Sequence, residues 1–316
     1  MKFRTVISLL PYPFRIDYSH KIFGLGSCFV DHMKQKFDFY QFQSQINPFG
    51  VIFNPVSIKN TLETIVEKRY FTKDDLFYHQ DTWKSYQLHS VFNCTDSSKL
   101  LHEVNEKIQT AHRFLAQSNH LLITLGTAWV YRLKSNGEIV SNCHKVPQKE
   151  FSKELLSTTE IAGNLNKIIS LAKSLSQDIN ILFTVSPVRH LKDGFVENNV
   201  SKSRLLDAVY QVVNEQNAFY FPSYEIMMDD LRDYRFYKPD MIHPNQTAVD
   251  YIWLKLQQAL MDDKTRSTMQ QVEKIRKALQ HKAFNPASKE HQAFLEKINR
   301  QIQALQKRFD WMQFES

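Results

Sequence analysis

The chain has 316 residues, of which 42% are hydrophobic and 23% are charged, and its formal net charge is +7. This length suffices for one large domain or a domain with an appendage, and low glycine and proline counts (7 and 10) exclude a fibrous or low-complexity protein. No apolar run approaches the roughly 18 residues of a membrane helix, and Pro11 and Pro13 interrupt the N-terminal apolar piece too early for a signal peptide, so we expect a cytoplasmic protein.

The body of the chain alternates short apolar runs with amphipathic segments. In chain order these segments predict a strand at 21–25, a helix at 31–36, a strand at 37–42, a helix at 57–68 capped by Ser57, a helix at 97–117, a strand at 120–125, a helix at 159–175, a strand at 180–185, a helix at 200–214, a strand at 218–221, and helices at 224–231 and 245–261. Such alternation is typical of a parallel sheet covered by helices on both faces. We therefore predict an α/β protein, a three-layer α/β/α sandwich.

Two segments do not fit this alternation, and we interpret both as insertions. Residues 70–95 are rich in aromatic and polar side chains and give no clear element. Residues 129–147 predict a hairpin that turns at Asn136-Gly137, a strong turn dipeptide.

The C-terminal part, residues 264–316, differs from the body 1–263, and we place a domain boundary between them. It contains 11 Lys or Arg against 5 Asp or Glu, which we interpret as a solvated helix face rather than a nucleic-acid site. Two apolar stripes at helical spacing predict a helical hairpin, with Ser288 capping its second helix. The stripes are Met269, Val272, Ile275 and Leu279, and then Leu295, Ile298, Ile302, Leu305, Phe309 and Met312. Packing on the body is the favoured outcome, and a homodimer through these helices is the alternative.

The three cysteines, Cys28, Cys94 and Cys143, are too few and too dispersed for a disulfide framework, so free thiols are expected. The chain has no Cys-x-x-Cys pair and no glycine-rich phosphate loop. We therefore expect neither a metal nor a cofactor.

Polar or glycine-bearing stretches follow the predicted strands. Gly26-Ser27-Cys28 ends the first strand, a loop around 47–50 follows the second, and Gly126-Thr127 and Ser186-Pro187 end the next two. Because chemistry in parallel sheets lies at the carboxyl ends of the strands, these stretches should meet at one edge.

A second candidate motif lies far along the chain. Asp240 and His243 are three residues apart in a loop, just before a helix that Asn245 can cap. A carboxylate that accepts the Nδ1 proton of a histidine sets its tautomer and supports the imidazolium, so this pair suits general acid–base catalysis. On its own the spacing is weak, because it also occurs by chance.

Together these motifs resemble the SGNH (GDSL-type) hydrolases, whose first block is Gly-Asp-Ser and whose last is Asp-x-x-His. More narrowly, the chain resembles the GSCFA domain family, since residues 26–30 read Gly-Ser-Cys-Phe-Val. The matching stretches are NPFGVIFNP (47–55), LITLGTAWVY (122–131), NCHKVP (142–147), FTVSPVRH (183–190), DMIHPN (240–245) and HKAFNP (281–286).

The resemblance implies roles for individual residues. It places Cys28 at the nucleophile, while a register slip of one residue would place Ser27 there, and it makes His243 the base that Asp240 orients. The Cys28 backbone N–H and Gly50 would hold the oxyanion. The usual Gly-x-Asn block reads Gly126-Thr127-Ala128, so its asparagine is missing, and Thr127, Asn47 and Asn142 are open substitutes. His144 and His190 follow strand-like segments and are candidates for the substrate pocket, together with Asn142.

The function implied by this resemblance is acyl-ester chemistry, as an esterase or an acyltransferase, on a small-molecule or carbohydrate ester. The altered Gly-Ser-Cys and Gly-Thr-Ala blocks leave an alternative, a catalytically silent module that binds a glycan or another ligand on the same fold.

Overall fold

The computed structural model describes residues 4–9, 11–215, 218–280 and 288–314. Its strands are β1 (Lys21–Gly26), β2 (Gln43–Ile46), β3 (Phe77–His79), β4 (Thr82–Lys84), β5 (His120–Leu125), β6 (Trp129–Leu133), β7 (Ile139–Val140), β8 (Phe151–Leu155), β9 (Asn180–Val185) and β10 (Phe219–Tyr220). Its helices are α1 (Cys28–Phe39), α2 (Pro55–Glu67), α3 (Ser97–Leu115), α4 (Thr158–Leu175), α5 (Phe195–Glu215), α6 (Ser223–Glu225), α7 (Gln246–Leu260), α8 (Asp263–Gln280) and α9 (Lys289–Arg308).

The central sheet has five parallel strands in the order β10-β9-β5-β1-β2. The chain builds this sheet outward from β1 in both directions, so the strand order reverses between β1 and β5. Gly26, the last residue of β1, pairs with Thr124 in β5 at this point. A reversal of this kind opens a crevice at the carboxyl ends of the strands, where α/β proteins bind their ligands.

Helices cover both faces of the sheet. Side chains alternate along each strand, so Phe23 and Leu25 of β1 lie in one core while Ile22 lies in the other. Helices α2, α3, α4 and α5 complete the first core, and α1, α7, α8 and α9 complete the second. The predicted three-layer α/β sandwich with a parallel sheet is confirmed.

The strand predicted at 37–42 is wrong. Helix α1 continues to Phe39, and β2 begins only at Gln43. Buried residues of α1 follow the helical spacing Phe29, Met33, Phe37, and the Phe37 ring packs at right angles against Trp253 of α7, with 5.1 Å between centroids. Aromatic residues favour strands on average, and this packing contact overrides that preference.

The predicted cap of the next helix is also wrong. Asn54, not Ser57, caps α2, because the Asn54 side chain accepts a hydrogen bond from the Ser57 N–H at 2.8 Å. Pro55 is then the first helical residue, where a missing N–H has no cost. Ser57 is fully buried in the first turn.

The hairpin predicted within 129–147 is confirmed, since β6 pairs antiparallel with β7 across the Asn136-Gly137 turn. Strand β8, which the sequence did not predict, pairs with the other edge of β6 and completes a three-stranded sheet. The aromatic segment 70–95 contains a second hairpin, β3–β4.

The C-terminal hairpin of α8 and α9 packs on the body, as favoured from the sequence. Ile298, Leu305 and Met312 are buried in the same core as Phe37 of α1. Gln41, between α1 and β2, donates a hydrogen bond to the Gln313 carbonyl at 2.8 Å and accepts one at its own carbonyl from Trp311 Nε1 at 3.2 Å. Ser288 caps α9 as predicted. The family-like segment 281–286 lies outside the described residues, and a homodimer stays a prediction.

Within the part of the chain that the structure describes, every helix is too short or too polar to cross a membrane.

Candidate active site

The end of β1 places a serine and a cysteine at the switch point of the sheet. Gly26 has a φ of +147°, and a Cβ added there would lie 2.3 Å from the Thr124 carbonyl oxygen, so this position needs glycine. The Ser27 N–H donates to the same carbonyl at 3.0 Å. Ser27 is 1% exposed and caps α1, its hydroxyl accepting from the Phe29 N–H at 3.3 Å.

Cys28 is the first residue of α1 and is a free, half-buried thiol. Burial raises the pKa of the thiol, and the nearby Asp31 carboxylate raises it further. Lys202 and Lys238 act in the opposite direction, because their positive charges favour the thiolate. With its pKa raised overall, Cys28 needs a base to become a nucleophile at neutral pH.

The loop after β2 is tied to this strand end by Asn47. The Asn47 Oδ1 accepts from the Gly26 N–H at 2.8 Å, and its Nδ2 donates to Asp31 Oδ1 at 2.8 Å. Asn47 therefore links β1 to the first turn of α1. The second N–H of Nδ2 has no hydrogen-bond partner among the described residues, so it alone is available for the oxyanion role predicted for Asn47.

Two more of the predicted oxyanion donors, Gly50 and Thr127, are engaged elsewhere in this structure. The Gly50 N–H donates to the Asn47 carbonyl at 2.9 Å, closing a turn in which Gly50 has a φ of +81°. The Thr127 N–H donates to the Phe53 carbonyl at 3.2 Å, and its hydroxyl shares a 3.0 Å hydrogen bond with Ser201. For Gly50 and Thr127 the predicted role would require these bonds to break first.

Asp240 and His243 form the hydrogen bond that their spacing predicts. His243 Nδ1 donates to Asp240 Oδ2 at 2.7 Å, which leaves Nε2 free to exchange a proton with a substrate or a nucleophile. The other Asp240 oxygen accepts from the backbone N–H groups of His243 and Ile242 at 3.0 and 2.8 Å. These backbone bonds, and then the His243 ring, lower the pKa of Asp240 to about 2. Asn245 caps α7, as predicted.

Electrostatic contacts connect this pair to the strand end. Burial lowers the pKa of His32 on α1, and the charges of Lys238 and His243 lower it further. Lys238 lowers the pKa of Cys28 as well, so the charge of this one lysine affects both Cys28 and His32. No hydrogen bond joins Cys28 Sγ to the His243 ring among the residues described, so their pairing as nucleophile and base stays a prediction.

His190 belongs to the same cluster. A Cβ added at Gly126 would lie 3.3 Å from its Nε2, which is buried and has no hydrogen-bond partner. Burial lowers the pKa of His190 to about 3, with Lys202 and His243 adding to the effect, so the ring is neutral at physiological pH. This unpartnered nitrogen lies beside Gly126 but is buried, so the substrate-binding role of His190 stays a prediction.

His144 and Asn142 have their contacts elsewhere. The Asn142 side chain accepts from the His144 N–H at 2.8 Å, and His144 Nε2 donates to the Ser85 carbonyl at 2.8 Å. The His144 ring also lies edge-on to Phe77. These contacts hold together the inserted hairpins, so the structure gives these two residues a structural part and does not bring them to Cys28.

One residue of the cluster was missed from the sequence. Lys202 on α5 is 1% exposed, and its Nζ donates to the carbonyls of Gly126 and Ser186, both at 2.7 Å. Burial lowers the pKa of Lys202 to about 7, while Cys28 raises it. The available signal was its position three residues before Leu205 and seven before Val209, on the apolar face of the helix.

A cavity of about 480 Å³ lies outside this cluster, between α2 and the inserted hairpins. Of the site loops, only Phe49 contributes to its wall. The cavity is therefore separate from the residues around Cys28 and His243.

Fold and site together define an α/β sandwich with a thiol at the sheet's switch point and an Asp–His pair in a late loop. The chain belongs to the GSCFA family, whose model matches residues 21–256. The model described as "GSCFA domain protein, C-terminal domain" matches residues 272–316. The family resemblance noted from the sequence is confirmed.

Among solved structures, the chain is similar to an acetyl xylan esterase (Est2A) from the rumen bacterium Butyrivibrio proteoclasticus. The two are 8% identical with a TM-score of 0.38, and the match covers 76% of this chain and 65% of the esterase chain. No curated protein matches this chain.

Proposed function

We propose that this protein is an acyl esterase or acyltransferase that uses Cys28 as its nucleophile. The observation that carries the proposal is the 2.7 Å hydrogen bond from His243 Nδ1 to Asp240. It orients the ring as a general base would require. Lys238, whose N–H donates to the His243 carbonyl at 2.7 Å, lowers the pKa of both Cys28 and His32 on α1.

Two contacts support Cys28 over Ser27 as the nucleophile. The Ser27 hydroxyl is buried and accepts a hydrogen bond as the cap of α1. Cys28 is partly exposed at the first position of the helix, where the helix dipole favours a thiolate.

The proposed reaction uses Cys28 as the nucleophile and His243 as the base. His243 Nε2 accepts the thiol proton while Sγ bonds to the ester carbonyl carbon, giving a tetrahedral oxyanion. When this intermediate collapses, the bond to the alcohol oxygen breaks, and His243 returns the proton to the departing alkoxide. The thioester on Cys28 is then attacked by water or by an acceptor hydroxyl, whose proton passes through His243 to the released sulfur. Asp240 stays charged throughout because its pKa is about 2.

For the substrate we propose an O-acyl ester, such as an O-acetyl group on a carbohydrate. The buried Nε2 of His190 is a polar group in the crevice that such a substrate can satisfy. A thiol nucleophile also requires a reducing environment, in keeping with the cytoplasmic location expected from the sequence.

The test is to incubate the protein with 4-nitrophenyl acetate and to measure both turnover and intact mass, with peptide mapping of any adduct. Wild type should acquire one acetyl group on Cys28, and Ser27→Ala should retain it. Cys28→Ala should lose both adduct and turnover. Cys94→Ala, which removes another half-buried free thiol, is the matched control and should behave as wild type. An adduct that maps to residue 27, or turnover that survives Cys28→Ala, would contradict the proposal.

A second candidate function is a binding module that keeps the crevice without the reaction. The engaged N–H groups of Gly50 and Thr127 favour it, because they leave few donors for an oxyanion. Glycan binding that survives His243→Ala, with no adduct and no turnover for any short acyl ester, would select this reading.

A further inference from the structure

Lys202 is the most deeply buried charged side chain of the crevice. It reaches from α5 to the carboxyl ends of β5 and β9, where Nζ donates to the carbonyls of Gly126 and Ser186. Removing an ammonium group from water is costly, and two neutral carbonyls compensate for this only in part. A lysine that stays buried despite this cost suggests that its positive charge has a function.

The lysine has bonding capacity left. An ammonium group carries three N–H donors, and no third acceptor contacts Lys202 Nζ among the residues described. The ring of Tyr224 lies 5.9 Å away and offers only a weak cation–π contact. One donor is therefore available to an anion that forms in the crevice.

The lysine also lies on the Cys28 side of the crevice. Gly126, whose carbonyl binds Nζ, follows Thr124 by two residues, and the Thr124 carbonyl accepts from the Ser27 N–H. Lys202 and Cys28 accordingly influence one another, each favouring the charged form of its partner. This is the edge where the sequence lacks the asparagine of the Gly-x-Asn block.

We propose that Lys202, in its protonated form, stabilises the anion that forms beside Cys28. That anion is first the thiolate and, after attack, the oxyanion of the tetrahedral intermediate. No bond to Lys202 forms or breaks in either step. Stabilisation of the oxyanion rests on the proposed esterase or acyltransferase function, whereas stabilisation of the thiolate concerns the free protein alone.

Other charged groups face the same two side chains. Asp31 opposes thiolate formation, and Lys238 favours it from an exposed position. Neutral His190 lies near Gly126, whose carbonyl accepts a hydrogen bond from Lys202. Salt screens an exposed charge such as Lys238 but leaves a buried one largely unaffected, which allows the two lysines to be distinguished.

The experiment measures alkylation of Cys28 by iodoacetamide as a function of pH, located at residue 28 by peptide mass. It needs no ester turnover, so it remains decisive if the proposed reaction fails. Lys202→Met should slow alkylation about tenfold or more at pH 6, where Lys202 is protonated, since one pKa unit is tenfold in thiolate, and the difference should shrink as the pH rises through about 7. Lys202→Arg, which keeps the charge, should restore much of the rate.

The matched control is Lys255→Met on α7. Lys255 is also buried and donates to a backbone carbonyl, that of Ile7 at 2.9 Å, but it lies in the other core. Loss of the Lys255 charge should leave the pH dependence of Cys28 alkylation unchanged. In 1 M salt the effect of Lys238→Met should vanish while that of Lys202→Met persists.

An unchanged alkylation rate at pH 6 in Lys202→Met, or an equal loss of rate in Lys255→Met, would overturn the proposal. If the Lys202 variants do not fold, the reciprocal measurement replaces them. Lys202 can then be titrated by NMR in wild type and in Cys28→Ala. Removal of the thiol should lower the pKa of Lys202, and identical titration curves would refute the coupling.

Discussion

Substituting Gly26 by alanine tests the geometry that presents Cys28. A residue other than glycine at φ +147° costs roughly 1–3 kcal/mol in backbone strain. The new Cβ would also lie 2.3 Å from the oxygen and 2.8 Å from the nitrogen of Thr124, both of them backbone atoms that cannot rotate away. Relieving such an overlap by shifting a strand costs a further ~1–3 kcal/mol.

We therefore expect Gly26→Ala to lower the free energy of unfolding by about 2–6 kcal/mol, combining backbone strain with overlap. The assay is urea unfolding followed by circular dichroism, in which the midpoint should fall by roughly 1 M or more.

Gly163→Ala is the control. Gly163 lies inside α4 with no atom within 4 Å of an added Cβ, so alanine there should stabilise the protein by about 0.5–1 kcal/mol. If the two variants had equal midpoints, the close approach of β1 and β5 at Thr124 would not be a property of the folded protein.

Three further results are expected. Asp240→Asn should reduce ester turnover by roughly 10²- to 10⁴-fold without loss of fold, because the carboxylate is exposed and serves mainly to orient His243. The pKa of Asp240 is lowered to about 2, so its contribution to stability is complete above its ordinary pKa of about 3.9 and is lost as pH falls through about 2. The urea midpoints of wild type and Asp240→Asn should therefore stay apart at pH 5 and converge only near pH 2. Convergence by pH 4.5 would contradict this expectation. Leu305→Ala, at a position 1% exposed, should cost about 2–5 kcal/mol, whereas Leu295→Ala in the same stripe, 38% exposed, should cost little in the same urea assay; equal costs would argue against packing of α9 on the body.

The sheet could be predicted from the sequence where its strands are continuous apolar runs. Strands β5 and β9 begin and end at the predicted residues, because such runs suit only the buried middle of a parallel sheet. The segment 37–42 failed because its aromatic residues suit either a strand or a buried helix face, and only the contact between Phe37 and Trp253 decides between them.

The candidate site could be predicted in part. The bond between Asp240 and His243 follows from local spacing, so the sequence sufficed for it. The Gly50 N–H is bonded within its own turn to the Asn47 carbonyl, and the Thr127 N–H is bonded to the Phe53 carbonyl in another loop. Sequence motifs do not predict these backbone hydrogen bonds. Lys202 lies 174 positions after Cys28 in the chain. Its place beside the thiol depends on how α5 packs across the sheet, which a pattern of single residues does not specify.

Helix α1 connects two distant parts of the molecule. Its first residue is Cys28, and just beyond its last turn Gln41 is bonded to Trp311 and Gln313 of the C-terminal extension. Twelve residues of helix make a rigid rod about 18 Å long, so a 1 Å displacement at one end tilts the rod by about 3°. The C-terminal part therefore contacts the chain at the end of α1 opposite Cys28. We expect a substitution that breaks these contacts to change the position of the thiol without altering any residue near it.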